Sequence, residues 1–369
     1  MKHAFLRKNE IIIITCTMLL VIFGCIMVYS ASSFSAQQNY GNSTFFLTKQ
    51  IIGAVIGIVA MIGASFFPYE KLKKYKWILV AISVILLLLV FVPGLGKSNY
   101  GAQRWIGIGS LTMQPSEIAK FALVLFCSAT FCDIKAETIK FKHSILPICV
   151  GVLFCTLVIL EPNMSITMCI GIVLIIMLFL GGMNWKHMMA IGMPAAATVP
   201  ALILLEPYRV KRLMAFLDPW ANPKGEGFQL IQSLYAIGSG GLFGVGLFNS
   251  RQKNLFLPFA ESDFIFSIIV EELGFIGGLF VLIVFAFLII ALIRVAFSAK
   301  NKFGCLLVAG IASVICVQVL LNVSVVSGLI PPTGLPLPFI SSGSTSLVVF
   351  MASIGVCLNV AKSSSKLYS

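Results

Sequence analysis

Only thirteen acidic residues serve the 369-residue chain, and four of them crowd into "AESDFIFSIIVEELGF", residues 260–275, as Glu261, Asp263, Glu271 and Glu272. A carboxylate in such a place can take a proton from a hydroxyl. Upstream, Arg209, Lys211, Arg212, Lys224, Arg251 and Lys253 all fall between Glu206 and Ser262. Cations grouped in this way suit an anionic ligand and can stabilise charge that develops on a leaving group. A third charged motif is "QPSEIAKF", in which Glu117 and Lys120 stand three positions apart, share one helical face and can pair. That pair reads either as a mutually neutralised structural element or as the polar floor of an outward-facing cavity. Acids and cations beside one another point to chemistry on an anionic amphiphile.

The elements that must position these groups belong to a membrane. Charged residues are 11% of the chain, apolar ones 59%, and the mean hydropathy is +1.02; soluble domains carry about a quarter of their residues charged. Nearly charge-free runs occur at Ile11–Tyr29, Ile51–Phe67, Trp77–Val92, Ile118–Phe131, Ile145–Leu160, Met164–Leu180 and Met188–Leu205. Three more lie within Phe264–Phe297, at Phe303–Val326 and at Leu347–Val360. The expected fold is therefore an all-α polytopic membrane protein of about ten transmembrane helices. A cleaved leader is the alternative for the first run, but at nineteen residues it exceeds the roughly 7 to 15 of a signal-peptide core and reads as a retained helix.

Orientation follows from Lys and Arg. With the N-terminus inside, the inward segments hold sixteen, including Lys71, Lys73, Lys74, Lys76, Lys135, Lys140 and Lys366, whereas the short outward loops hold only Lys49, Lys97 and Arg104. Both termini are thus expected in the cytoplasm, with an even number of crossings. The net charge of +13 follows from this topology and is no argument for nucleic acid. All ten cysteines fall in or at the ends of apolar runs and all three histidines fall inward, so neither a disulfide framework nor an outward histidine metal site is expected.

One connection is long. Residues 206–262 form a large extracytoplasmic loop between helices seven and eight, within a single integral membrane domain spanning 1–369. In this loop "FQLIQSLYAI", from Phe228, spaces apolar residues as an amphipathic helix at the membrane surface. The glycines of "SGGLFGVG" that follow mark irregular backbone, and "SGLIPPTGLPLPFISSGSTS" from Ser327 is uncharged yet cannot be helical throughout. As one helix, Phe264–Phe297 would be ~51 Å long, well past the ~30 Å of hydrocarbon, so its outer end must project, carrying Asp263 above the boundary and Glu271 and Glu272 near it. Helix-end capping explains one or two of these acids, and long loops escape the positive-inside rule, which is the plain account of the six cations.

At this point the residues resemble the SEDS family, FtsW, RodA and SpoVE. The resemblance rests on "MVYSAS" (Met27–Ser32), "RWIGIGSLTMQPSEIAK" (Arg104–Lys120), "PYRVKRLMAFLDPW" (Pro207–Trp220) and "GFQLIQSLYAIGSGGLFGVGL" (Gly227–Leu247). It continues through "SRQKNLFLP" (Ser250–Pro258), "SDFIFSIIVEELGFIGG" (Ser262–Gly278) and "GLPLPFISSGSTSL" (Gly334–Leu347). It implies a ten-helix peptidoglycan glycosyltransferase of the bacterial cytoplasmic membrane. Such an enzyme polymerises lipid II, a disaccharide-peptide on undecaprenyl diphosphate, beside a class B penicillin-binding protein.

By the same resemblance Asp263 is the essential outer-loop aspartate, and Trp105, Glu117 and Lys120 fall on positions tied to activity. Asp263 is then the candidate base. Arg209, Arg212, Arg251 and Lys253 are the cations available to the diphosphate, and Trp105 either stacks on a sugar or anchors the interface. No tightly bound cofactor is expected; a divalent cation, Mg or Mn, bridging diphosphate and carboxylate fits the chemistry. The family pattern has Pro-Asp and then a glycine where this chain reads "EPNMS", with Asn163 and Ser165, and an aromatic and a glycine where it has Ser342 and Ser344. Two competing readings are a lipid II flippase and a non-catalytic scaffold for a penicillin-binding protein.

Overall fold

A computed structural model describes residues 2–99, 102–108, 111–134, 141–204 and 207–365. Lys135, Lys140, Glu206 and Lys366, used above for orientation and loop bounds, lie outside the described residues. Helices occupy all ten apolar runs: α1 (Lys2–Tyr40), α2 (Phe45–Phe66), α4 (Lys76–Leu89), α5 (Pro115–Phe131), α6 (Phe141–Leu160), α7 (Met164–Gly181), α8 (Trp185–Leu204), α11 (Ile265–Phe297), α12 (Lys302–Val326) and α13 (Ser344–Ser365). A four-residue turn, α3 (Tyr69–Leu72), leads into α4. Among the described residues seven helices (α1, α2, α6, α7, α11, α12, α13) are long and apolar enough to cross a membrane. Their outward faces are rich in exposed Ile, Val, Leu and Phe, as lipid contact requires.

The bundle is built around α12, the most buried of these spans, which packs on α5, α7 and α11; α13 lies along α2, and α1 along α11. Helix ends follow local chemistry. Pro115 opens α5 at its first turn, where a missing N–H costs nothing. Asn163 caps α7 by accepting from the Ile166 amide at 3.4 Å, and Gly182 closes that helix with φ 95°. The departure at Asn163 therefore keeps a working cap, because an amide oxygen accepts this bond as a carboxylate would.

The long α11 is not continuous. Gly274 adopts φ 72° and ψ −173°, which breaks the helix after two turns and a half. The carbonyls and amides freed there are taken up by the glycine-rich loop that follows α10 (Phe228–Gly240). Val245 and Gly246 donate to Glu271 and Glu272 carbonyls at 2.9 and 3.0 Å, and Phe275 and Ile276 donate to Gly241 and Leu242 at 2.9 and 3.2 Å. A Cβ on Gly274 would sit 2.3 Å from the Leu242 carbonyl oxygen, so only glycine admits the approach. The stretch beyond the break matches the hydrocarbon thickness, and the piece before it, which holds Glu271 and Glu272, accounts for the excess length.

Two further features complete the scaffold. A three-stranded antiparallel sheet, β1 (Gly96–Asn99), β2 (Ala102–Ile108) and β3 (Leu111–Met113), stands between α4 and α5, an addition to the expected all-α architecture. Strands of three to seven residues with interspersed glycines are too short for alternation to announce them. The segment between α12 and α13 has no helix, and polar side chains rooted in helices satisfy its backbone. Asn322 donates to the Leu335 carbonyl at 2.7 Å, Gln318 to Pro336 at 2.8 Å, and Gln50 to Ser341 at 3.3 Å. Irregular backbone at membrane depth survives only when so partnered. The long connection ahead of α11 also folds, into α9 (Pro207–Leu217) and α10, whose buried face presents Leu230, Ile231, Ser233 and Ala236 to α11 and α12.

Candidate functional site

Asp263 precedes the N-cap of α11, at the point where the helix emerges from the long loop. Its Oδ1 accepts from the Ser262 hydroxyl at 2.9 Å, and its backbone carbonyl accepts from Asn322 Nδ2 at 2.8 Å. Overhead passes the irregular α12–α13 segment, so closely that a Cβ on Gly334 would lie 2.7 Å from Oδ2. The carboxylate is half-buried. Burial pushes its pKa above the ordinary aspartate value, while the Ser262 hydrogen bond and the charges of Arg104 and Arg212 pull it back. Glu261, two residues earlier, is also half-buried; burial raises its pKa and the neighbouring charge of Asp263 adds to the rise. Its backbone carbonyl accepts from the Ser342 amide at 2.8 Å, so the serine that departs from the family pattern pins the roof of the site through its main chain.

Of the four candidate cations, Arg212 on α9 lies within electrostatic reach of Asp263 and donates to the Pro332 carbonyl at 3.4 Å, tying α9 to the roof. Arg209, a turn earlier, is half-buried. Lys253 is buried and pairs with Glu272 at 2.9 Å; Arg251 is exposed beside a separate cavity. Those two side chains are not brought to Asp263.

The reason lies in the paired acids of α11. Glu272 accepts from Ser30 of α1 at 2.7 and 2.8 Å, from the Phe248 and Ser250 amides at 3.1 and 3.3 Å, and from Lys253. Glu271 accepts from the Ser250 hydroxyl and from the Arg251 and Gln252 amides. Together they clamp residues 248–253 against α1 and α11, each carboxylate saturated by donors in a largely dry setting.

Glu117 and Lys120 form a fully buried ion pair at 2.9 Å. Lys120 also donates to Gln318 Oε1, and Ser346 donates to Glu117 at 2.9 Å. Because Gln318 holds the Pro336 carbonyl, the pair anchors α5, α12, α13 and the roof above Asp263 in one network. Its role in this fold is to position that roof; the half-buried Trp105 lies on β2.

Two residues absent from the sequence-based list enter the site. Arg104 on β2 donates to the Glu161 carbonyl at 3.3 Å and to that of Pro162, and it is within electrostatic reach of Asp263. Glu161, between α6 and α7, is fully buried, and among the described residues neither carboxyl oxygen is hydrogen-bonded. Burial raises its pKa to about 8, against the pull of Arg104. The available signal was an acid alone at the end of an apolar run, where an ionised group is expensive. Among the described residues no group of three or more His, Cys, Asp and Glu is gathered as a metal cage. A Mg²⁺-type site needs only one or two carboxylates when phosphates supply the rest, and Asp263 with Glu261 meets that minimum.

Comparison with known proteins bears on the whole arrangement. The family model for FtsW, RodA and SpoVE, described as "Cell cycle protein", matches residues 10–366. The chain is 39% identical to stage V sporulation protein E of Bacillus subtilis (strain 168), over 96% of this chain and 97% of that one. It is 38% identical to a probable peptidoglycan glycosyltransferase FtsW of Geobacter sp. (strain M18), over 95% and 96%. Among solved structures, a chain from "Structural coordination of polymerization and crosslinking by a peptidoglycan synthase complex" superposes with TM-score 0.78 at 26% identity, covering 95% of this chain and 97% of that one. The rod shape determining protein RodA of Thermus thermophilus shares the fold, with TM-score 0.69 at 24% identity over 95% of each chain.

Proposed function

The chain belongs to the FtsW, RodA and SpoVE family of cell cycle proteins, and on that premise we propose that it is a peptidoglycan glycosyltransferase that polymerises lipid II at the outer face of the bacterial cytoplasmic membrane. The observation that carries the reading is Asp263: a half-buried carboxyl with a raised pKa, hydrogen-bonded by Ser262, its backbone fixed by Asn322, and within electrostatic reach of two arginines. Polymerisation joins a sugar hydroxyl of the acceptor to C1 of the donor sugar, breaks the C1–O bond to the diphosphate and releases one proton. Asp263 takes that proton; a pKa nearer neutrality than a free carboxylate suits a base. Arg212 and Arg104 offset the charge that grows on the departing diphosphate. A Mg or Mn ion, if bound, would be held by Asp263 and Glu261 and would neutralise diphosphate charge.

Sidedness follows from the charge bias, which sets α9, α10 and Asp263 outside and both termini in the cytoplasm. A crosslinking partner, a class B penicillin-binding protein, completes the reading, in keeping with the related chain whose structure joins polymerisation to crosslinking.

The test is polymerisation of lipid II by purified protein with such a partner. Asp263→Asn, which keeps shape and removes the base, is expected to lower turnover at least 100-fold with an unchanged melting temperature. Turnover at wild-type rate in the variant would reject the assignment and return the flippase and scaffold readings.

A further inference from the structure

A cavity of about 630 Å³ opens between α10 and the loop that follows it, within the range of small-molecule sites. It is separate from the roofed site. Asp263 does not line it, and Glu271, which does, follows eight positions further along α11, about 12 Å at 1.5 Å per residue. Arg251 is exposed, and its guanidinium makes no hydrogen bond or ion pair among the described residues. The side-chain oxygen of Gln252 is buried without a donor among the described residues and is closed to a ligand in the cavity. Asn249 and Ser239 stand exposed beside them. Glu271 is the one acid in the lining, and its oxygens are already taken by the Ser250 hydroxyl and two backbone amides.

The mouth is of the opposite character. Leu234, Tyr235 and Val245 are exposed there. They continue into Leu242, Phe243, Leu247 and Phe248, all exposed on the loop that enters the α11 break. Exposed apolar side chains at a helix break in a membrane protein belong at the lipid interface. A free guanidinium wants an anion, the exposed Asn249 amide and Ser239 hydroxyl want the hydroxyls or amides of a headgroup, and an apolar rim wants a tail.

We infer that this cavity is a second amphiphile site, taking from the outer leaflet a lipid whose headgroup carries both phosphate and hydroxyl or amide donors. Arg251 binds the phosphate, Asn249 accepts from the donor, and the tail leaves past Leu234 and Val245. Two lipids share that chemistry: the saccharide diphosphate polyprenol of the proposed reaction, which rests on that reading, and phosphatidylglycerol, which does not.

The experiment places a photo-crosslinking amino acid at Leu234 in the full-length protein, in phosphatidylcholine nanodiscs. Radiolabelled undecaprenyl-diphosphate disaccharide and radiolabelled phosphatidylglycerol are offered separately and in competition. One or both are expected to crosslink, and Arg251→Gln is expected to lower the yield about tenfold, as loss of a charged hydrogen bond does, with Asn249→Leu lowering it as well. An excess of unlabelled phosphatidylglycerol that erases the disaccharide signal identifies bulk lipid as the occupant; resistance to it identifies the substrate. Equal yields in parent and both variants, or no crosslink to either lipid, overturn the site. Crosslinking needs no turnover. A protein that crosslinks but does not polymerise keeps this site and loses the enzymatic reading, and the converse result does the reverse.

Discussion

Asp263 and Glu161 share one physical feature, a carboxyl whose burial favours the protonated form, and they put it to different ends. For Asp263 the raised pKa means that the base form is lost at a higher pH than for a free aspartate. Turnover is therefore expected to fall on acidification in a titration centred above the ordinary carboxylate range, which a pH–rate profile of kcat/KM reads directly. For Glu161 the folded-state value of about 8 against a reference of 4.5 makes a statement about stability. Below 4.5 both states hold the proton and nothing is lost. From there to about 8 the unfolded chain has released its proton and the folded one has not, so stability declines as pH rises and levels off above 8. Glu161→Gln is expected to remove that decline and to raise the melting temperature at pH 8 relative to wild type, while leaving pH 4 unchanged. Melting curves of detergent-solubilised protein across pH check it; parallel curves for the two proteins would refute it. Both roles were only half visible in the residues themselves. Asp263 stands in a cluster of acids that invites chemistry, whereas nothing local to Glu161 says that Arg104, 57 positions away in sequence, lies against it.

At the scale of elements, the break in α11 decides where the acids go. Glu271 and Glu272 cannot serve substrate, because the broken helix turns them onto the loop 248–253, where Lys253, Ser30 and Ser250 meet them. Removing one member of a buried pair strands its partner, at a cost of about 3–5 kcal/mol. Glu272→Gln is accordingly expected to lower the unfolding midpoint sharply, and Lys253→Met combined with Glu272→Met to recover part of that loss; thermal unfolding of the single and double variants measures the coupling. Gly274→Ala is expected to destabilise by a comparable margin and to lower turnover from a distance, since its Cβ would meet the Leu242 carbonyl and misplace the piece of helix that presents Asp263. The apolar runs and the glycine stretch were readable as such. That the two interlock was not, because hydrogen bonds from residues 241–246 to 271–276 are a product of the fold.

For the molecule as a whole, the governing quantity is the sidedness of charge. The charge asymmetry of sixteen Lys and Arg against three in the short alternate loops is expected to orient the bundle with the long segment holding α9 and α10 external. Lys224 and Lys74 are both exposed, and they test it from opposite faces. Lys224→Cys is expected to react with a membrane-impermeant maleimide in intact cells, and Lys74→Cys only after permeabilisation, both measured against the background of the ten native thiols. The reverse pattern would place Asp263 in the cytosol and remove the proposed reaction with it.

Composition and periodicity sufficed for the helical membrane class, the ten apolar segments and the charge asymmetry, because transfer into hydrocarbon depends on each segment alone. Spacing sufficed for the Glu117–Lys120 pair, whose members are three apart on one helix. Tertiary structure decided which cations reach Asp263, what Glu271 and Glu272 hold, and how Gln50, Gln318 and Asn322 bind the backbone over the site. Those contacts join residues tens to hundreds of positions apart, and a polar group in a dry interior takes whichever partner the packing of the helices sets beside it.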